Sequence, residues 1–229
     1  MRNIDSPVTE PTLSATEPAE VTSIYNNPPR SEWPKLVKRA AESDFDIEAS
    51  VRATLEYVRT QGDKAVLDLE SRYDNVTFVS ADALKVSDKE IAEATASVPQ
   101  ELKAAIAQAY SNIRKFHSAQ MPQVVKVETF PGVVCYQKAV PIRRVGLYIP
   151  GGRAPLFSTV LMLAVPASVA GCPETVLCTP PDKEGKANPV IVYAASVCGV
   201  RNIFKIGGAQ AVAAMAYGTE TLAKCDKIF

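Results

Sequence analysis

The sequence is poor in the residues that do most enzymatic chemistry. It has one histidine, His117, in 229 residues, which leaves little room for acid–base or metal chemistry built on imidazole. Lys and Arg together number 25, balanced by 25 Asp and Glu. No net field favours nucleic acid or an anionic membrane, and neither is expected as a partner. No run approaches the roughly 20 apolar residues needed to cross a bilayer. The opening MRNIDSPVTEPTLSATEPAE has no apolar segment of the secretory type. The five cysteines (Cys135, Cys172, Cys178, Cys198 and Cys225) are odd in number and lack C-x-x-C spacing. That pattern argues against structural zinc and a disulfide framework and fits reduced thiols in the cytoplasm.

What is present is organised in stages. Residues 1–29, rich in Pro, Thr, Ser and Glu, are expected to be a disordered tail. Ser31 is expected to cap a short helix with Trp33, Leu36 and Val37 on one side, Trp33 serving as its docking anchor. A helix opening at Asp46 carries Ile47, Val51, Leu55 and Val58 at helical spacing and closes at Gly62. The next, from Asp63, carries Ala65, Val66, Leu69 and Tyr73. Ser87 and Glu90 form a capping box. Pro99 starts a long helix striped by Leu102, Ile106, Ala109, Ile113 and Phe116. The chain to about residue 122 thus reads as a helical layer. Val124–Phe130 and Val133–Ile142 flank Pro131–Gly132 as a β-hairpin.

From residue 145 the pattern becomes strict alternation. Strands at 145–149, 175–178, 202–206 and 227–229 interleave with helices near 157–170, 188–198 and 209–217. This predicts an α/β fold with a parallel, doubly wound sheet. Ligands of such sheets bind outside the carboxyl ends of the strands. Three loops fall there: Pro150-Gly-Gly152, Thr179-Pro-Pro181 and Gly207-Gly-Ala-Gln210. Two glycine pairs on one rim suit close approach to a phosphate, although each is equally readable as a tight turn.

Tyr148 and Gln210 bring polar ends to that rim, suited to a ribose, amide or base; Tyr148 alone also reads as a buried ring with a satisfied hydroxyl. Arg153 could face a phosphate or solvent. Cys178, at the end of the second strand, is the one cysteine placed as a nucleophile. It has no visible histidine partner, and packing as a small hydrophobe is the stronger reading. Cys172, Cys198 and Cys225 fall at the opposite rim. His117, beside an apolar stripe, is either a general base or, more often in such settings, a hydrogen-bonded boundary residue.

At PIRRVGLYIPGGRAPLFSTVLMLAVPASVAGC the chain resembles histidinol dehydrogenase. The likeness continues through ETVLCTPP, AASVCGV, NIFKIGGAQAVAAMAYGTE and CDKIF. Upstream it includes SEWPKLVKR, VRTQGDKAVLDLESRYDNV and NIRKFHSAQ, so that it spans roughly residues 24–229. The resemblance implies an NAD- and zinc-dependent enzyme of histidine biosynthesis, cytoplasmic and homodimeric. Such an enzyme oxidises L-histidinol through an enzyme-held aldehyde to L-histidine with two NAD. It implies an aldehyde-dehydrogenase-like, Rossmann-like sheet, incomplete in this chain. The helical region with the hairpin, 30–144, would belong to the first Rossmann-like domain, and 145–229 would be a truncated NAD-binding domain. On matching positions, Tyr148, Pro150 and Gln210 correspond to the cofactor pocket. The family's GPGN loop is expected directly after Lys227-Ile-Phe229, and its zinc ligands, Glu–His bases and substrate residues farther along. No catalytic or metal-binding residue is therefore assigned in this chain, which is expected to be inactive alone. The competing readings are a non-catalytic nucleotide-binding or subunit-interaction fragment and, more remotely, aldehyde oxidation through Cys178.

Overall fold

A computed structural model describes residues 25–37, 44–152 and 154–229. The described residues fall into two units, one before residue 44 and one from Asp44 to Phe229. Within the first, the predicted tail lies, for residues 1–24, outside the described residues. A 3-10 turn at Arg30–Glu32 leads into the short helix α1, Trp33–Leu36. The Ser31 cap is not formed: the N-cap position of the turn is Pro29, and no side chain caps it. Trp33 is held locally, its indole N–H donating to the Pro28 carbonyl at 3.1 Å, with the Arg30 guanidinium 5.6 Å from its ring.

The second unit is built on a four-stranded parallel sheet: β3 (Arg144–Tyr148), β4 (Glu174–Thr179), β5 (Asn202–Lys205) and β6 (Lys227–Ile228). Their order is β5-β4-β3-β6. The chain moves outward from β3 to β5 and then returns to the far side of β3, so the winding reverses between β3 and β6. The connecting helices α5 (Phe157–Val169), α6 (Pro189–Val197) and α7 (Gly208–Tyr217) occupy the predicted places. Alternate residues along each strand face opposite sides. Val145, Leu147, Ile149, Leu177 and Ile203 enter one core with α5 and α6. Val176, Cys178, Phe204 and Ile206 enter another with α7.

The helices before the sheet do not form a single layer. Helix α2, Asp44–Leu69, breaks at Gly62 (φ 54°, ψ −133°), where the sequence predicts a boundary. Its second half buries Ala65, Val66 and Leu69 in the α7-side core. Helices α3 (Asp88–Ser97) and α4 (Gln100–Ala119) instead contribute Ile91, Ala94 and Ile106 to the opposite core. The single helical layer expected from the sequence is therefore corrected: it is divided between the two faces of the sheet. The capping box at Ser87 and Glu90 is present in both its hydrogen bonds. The α4 stripe is only partly used; Ile106 is buried while Phe116 remains 64% exposed.

The hairpin pairs β1 (Val125–Phe130) with β2 (Val133–Gln137). The second strand stops short of the predicted Ile142 because β1 begins at Val125, opposite Gln137. Beyond that point no partner backbone remains, and Pro141 could not donate to one.

Candidate functional site

The three predicted rim loops converge on Pro180. A Cβ added to Gly151 would lie 3.0 Å from the Pro180 side chain, and one added to Gly207 would also lie 3.0 Å from it. Glycine is needed at both for close approach. Tyr148 ends β3 opposite Cys178 of β4, and its hydroxyl accepts from the Gly208 N–H at 3.0 Å. Burial raises the pKa of that hydroxyl, which keeps it protonated. Tyr148 thereby ties the end of the first strand to the start of α7.

Gln210 lies in the first turn of α7 and is 2% exposed. Its Nε2 donates to Glu70 Oε1 at 3.0 Å and, more weakly, to Asp74 Oδ2 at 3.4 Å. Glu70 Oε1 also accepts from the Gly207 N–H at 3.1 Å. Glu70 and Asp74 bound a single π-helical turn that ends α2 and is closed by left-handed Asn75 (φ 57°). That turn places both carboxyl groups against the N-terminus of α7, whose dipole favours negative charge. Desolvation raises the pKa of Glu70 up to about 7, and Asp74 adds to the effect. Asp74 is raised too, by burial. A cleft of about 280 Å³ opens beside them, lined by Ser50, Thr54, Asp74, Gly208 and Gln210 among others.

Sequence reading missed Glu70 and Asp74. A signal was available: two acidic residues in the last turn of a helix oppose its dipole and imply a partner elsewhere. Among the predicted residues, Tyr148 and Gln210 meet through Gly207–Gly208, while Pro150 is exposed on the adjoining loop. Arg153 lies outside the described residues.

Cys178 does not fit a nucleophile. It is fully buried and desolvation pushes its thiol far upward, so thiolate is suppressed. His117 sits near the end of α4, beside Phe116. That helix packs on the α5 side of the sheet, away from the cleft. Cys172 and Cys198 line a groove with Pro173 and Arg201, at the opposite ends of the strands as predicted. Among the described residues no cluster of three His, Cys, Asp or Glu could hold a metal. The zinc implied by the resemblance thus finds no donor set here. No described helix is long and apolar enough to cross a membrane.

A parallel α/β sheet with reversed winding, and a glycine-lined rim at its carboxyl edge, defines a Rossmann-like protein. The family model of histidinol dehydrogenase matches residues 37–229. The chain belongs to the histidinol dehydrogenase family. It is 54% identical over 206 residues to histidinol dehydrogenase of Bacteroides thetaiotaomicron, covering 90% of this chain and 47% of that protein. To the enzyme of Vibrio parahaemolyticus it is 50% identical over 194 residues, covering 85% and 43%. The crystal structure of histidinol dehydrogenase from Elizabethkingia anophelis superposes with a TM-score of 0.81 at 46% identity, covering 90% of this chain and 47% of that one. The chain spans about half the length of the curated relatives it matches.

Proposed function

We propose that this chain is the NAD-binding half of a histidinol dehydrogenase, the enzyme that oxidises L-histidinol to L-histidine through the aldehyde with two NAD. In this reading residues 145–229 are the NAD-binding domain, and 30–144 are part of the first Rossmann-like domain. The complete enzyme is a cytoplasmic homodimer. The observation that carries the reading is the convergence of Tyr148, Gln210 and the two glycine pairs on one rim, in a chain of this family.

The residues present fit a dinucleotide. Two of the donors at the start of α7 are committed, Gly207 N–H to Glu70 and Gly208 N–H to Tyr148. The pyrophosphate is assigned to the β3–α5 loop. Gly151 and Gly152 are exposed there, a Cβ on Gly152 would meet nothing within 4 Å, and α5 begins without a side-chain cap. Tyr148 and Gln210 then orient the rest of the molecule, with Pro150 as an apolar wall. When bound, NAD supplies the hydride acceptor. The described residues include neither a zinc donor set nor a histidine at the rim, so proton removal from the alcohol is assigned to residues beyond those described.

Purified chain given L-histidinol, NAD and zinc is accordingly expected to form no NADH. NADH production by protein free of host enzyme would overturn that division of labour. The sheet's two covered faces support a second reading, a nucleotide-binding module without turnover. Regained activity on adding the remaining half of a relative would favour the first reading over it.

A further inference from the structure

The hydrogen bonds around Glu70 are asymmetric. Oε1 accepts twice, from Gly207 N–H and from Gln210 Nε2. Oε2 is buried and receives no donor, while Glu70 as a whole is 0% exposed. Asp74, four residues on, accepts from the same Gln210 Nε2 at 3.4 Å, which brings the two carboxyl groups together on one donor. Two carboxylates cannot bond one another without a proton between them, whereas a carboxylic acid has one such oxygen of each kind: a carbonyl that accepts and a hydroxyl that donates.

We propose that Glu70 and Asp74 share one proton, carried on Glu70 Oε2, and that the pair positions Gln210 with its Nε2 inward and its Oε1 toward the rim. The amide orientation follows from the neighbours. A carbonyl oxygen placed against Glu70 Oε1 and Asp74 Oδ2 would face two acceptors, so the nitrogen must take that side. Consistent with this, Gln210 Oε1 is the atom nearest a Cβ built on Gly208. The rim is thus offered an acceptor, which selects a ligand donor there, an amide N–H or a ribose hydroxyl.

The groups facing Glu70 from neighbouring elements are few. They are Asp74 on its own turn, Gly207 and Gln210 from α7, the Tyr148 hydroxyl of β3 and the Cys178 thiol of β4. Tyr148 and Cys178 have raised pKa values and are neutral at ordinary pH. Among the described residues no cation acts on Glu70, and burial raises its pKa. Raised in the folded state, the group stabilises the fold below the ordinary carboxyl value, and that contribution is lost as pH rises through the folded value.

Glu70→Gln tests the proton without reference to NAD. The amide introduced there can copy the acid: its carbonyl accepts from Gly207 and Gln210, and its N–H donates to Asp74. The full chain and this variant are melted across about pH 5 to about pH 8. The variant is expected to match the wild type at the acid end and to exceed it by about 5 °C at the alkaline end. A variant that melts below the wild type at every pH, or does not fold, overturns the proposal, because it means the ionised form is the native one. A variant whose curve runs parallel to the wild type's across the range overturns it too. The role at the cofactor rests on the NAD reading above. There, the affinity of the wild type for NAD should weaken several-fold across the same range while that of Glu70→Gln stays level. Failure of the wild type to bind NAD at any pH would refute the NAD reading, and the melting comparison would still decide the proton.

Discussion

Replacing Gly208 by Ala should destabilise the rim by an amount the geometry fixes. Gly208 has φ +55°, a conformation that costs an L-residue about 1 kcal/mol or more. Its new Cβ would also lie 2.6 Å from Gln210 Oε1, so the buried glutamine must swing away. That movement breaks its bonds to Glu70 and Asp74, worth about 0.5–1.5 kcal/mol each. Against this, Ala restricts the unfolded chain and returns about 0.4–1 kcal/mol. The net loss is about 2 kcal/mol, a fall of about 4–8 °C in Tm for a chain of this size. Gly152→Ala is the matched control. It meets no atom within 4 Å and its φ is unstrained, so its melting should stay within about 0.5 kcal/mol of wild type. Calorimetry or denaturant titration of both variants decides the matter. A Gly208→Ala protein as stable as wild type would refute the packing argument. So would a Gly152→Ala protein that loses as much.

Three further outcomes follow from other parts of the molecule. Lys205 is 6% exposed, and its ammonium is held 2.8 Å from Glu90 over the Phe78 ring, so Glu90→Ala should cost about 1.5–3 kcal/mol by stranding it. Lys205→Met should cost less, and denaturation midpoints compare the two. Burial opposes ionisation of Glu90, but hydrogen bonds from Lys205 and Ser87 outweigh it and hold the carboxyl below its usual range. Its contribution is therefore present above the ordinary carboxyl pKa and should fade as pH falls through the lowered value, which Glu90→Gln should abolish in an acid titration. Thiol labelling of the folded chain should modify exposed Cys135 and spare Cys178 until denaturant is added; mass spectrometry of the labelled peptides reports this, and early modification of Cys178 would contradict its burial.

The parallel sheet was legible because each of its strands is a short apolar run separated from the next by a helix. That pattern has one common solution. The Ser87–Glu90 cap and the break at Gly62 were legible because they depend only on residues within one turn. The division of the early helices between two faces was not. Ile106 and Val66 look alike in their stripes, and only tertiary packing sends one to α5 and the other to α7. Tyr148 and Gln210 were found at their rim from strand order and family likeness. Glu70 was missed because its partners lie 137 and 140 residues away, beyond any local pattern. Ser31 had the right chemistry for a cap, yet Pro29 holds that position.

Titration calorimetry of NAD into the wild-type chain and into Gly152→Ala tests the central claim, that the rim of this sheet is an NAD site, most directly. The wild type should bind one NAD per chain, and Gly152→Ala, melting as wild type, should bind about tenfold more weakly, equal to about 1.4 kcal/mol. An absence of saturable binding by the wild type, or equal binding by the two proteins, would contradict it.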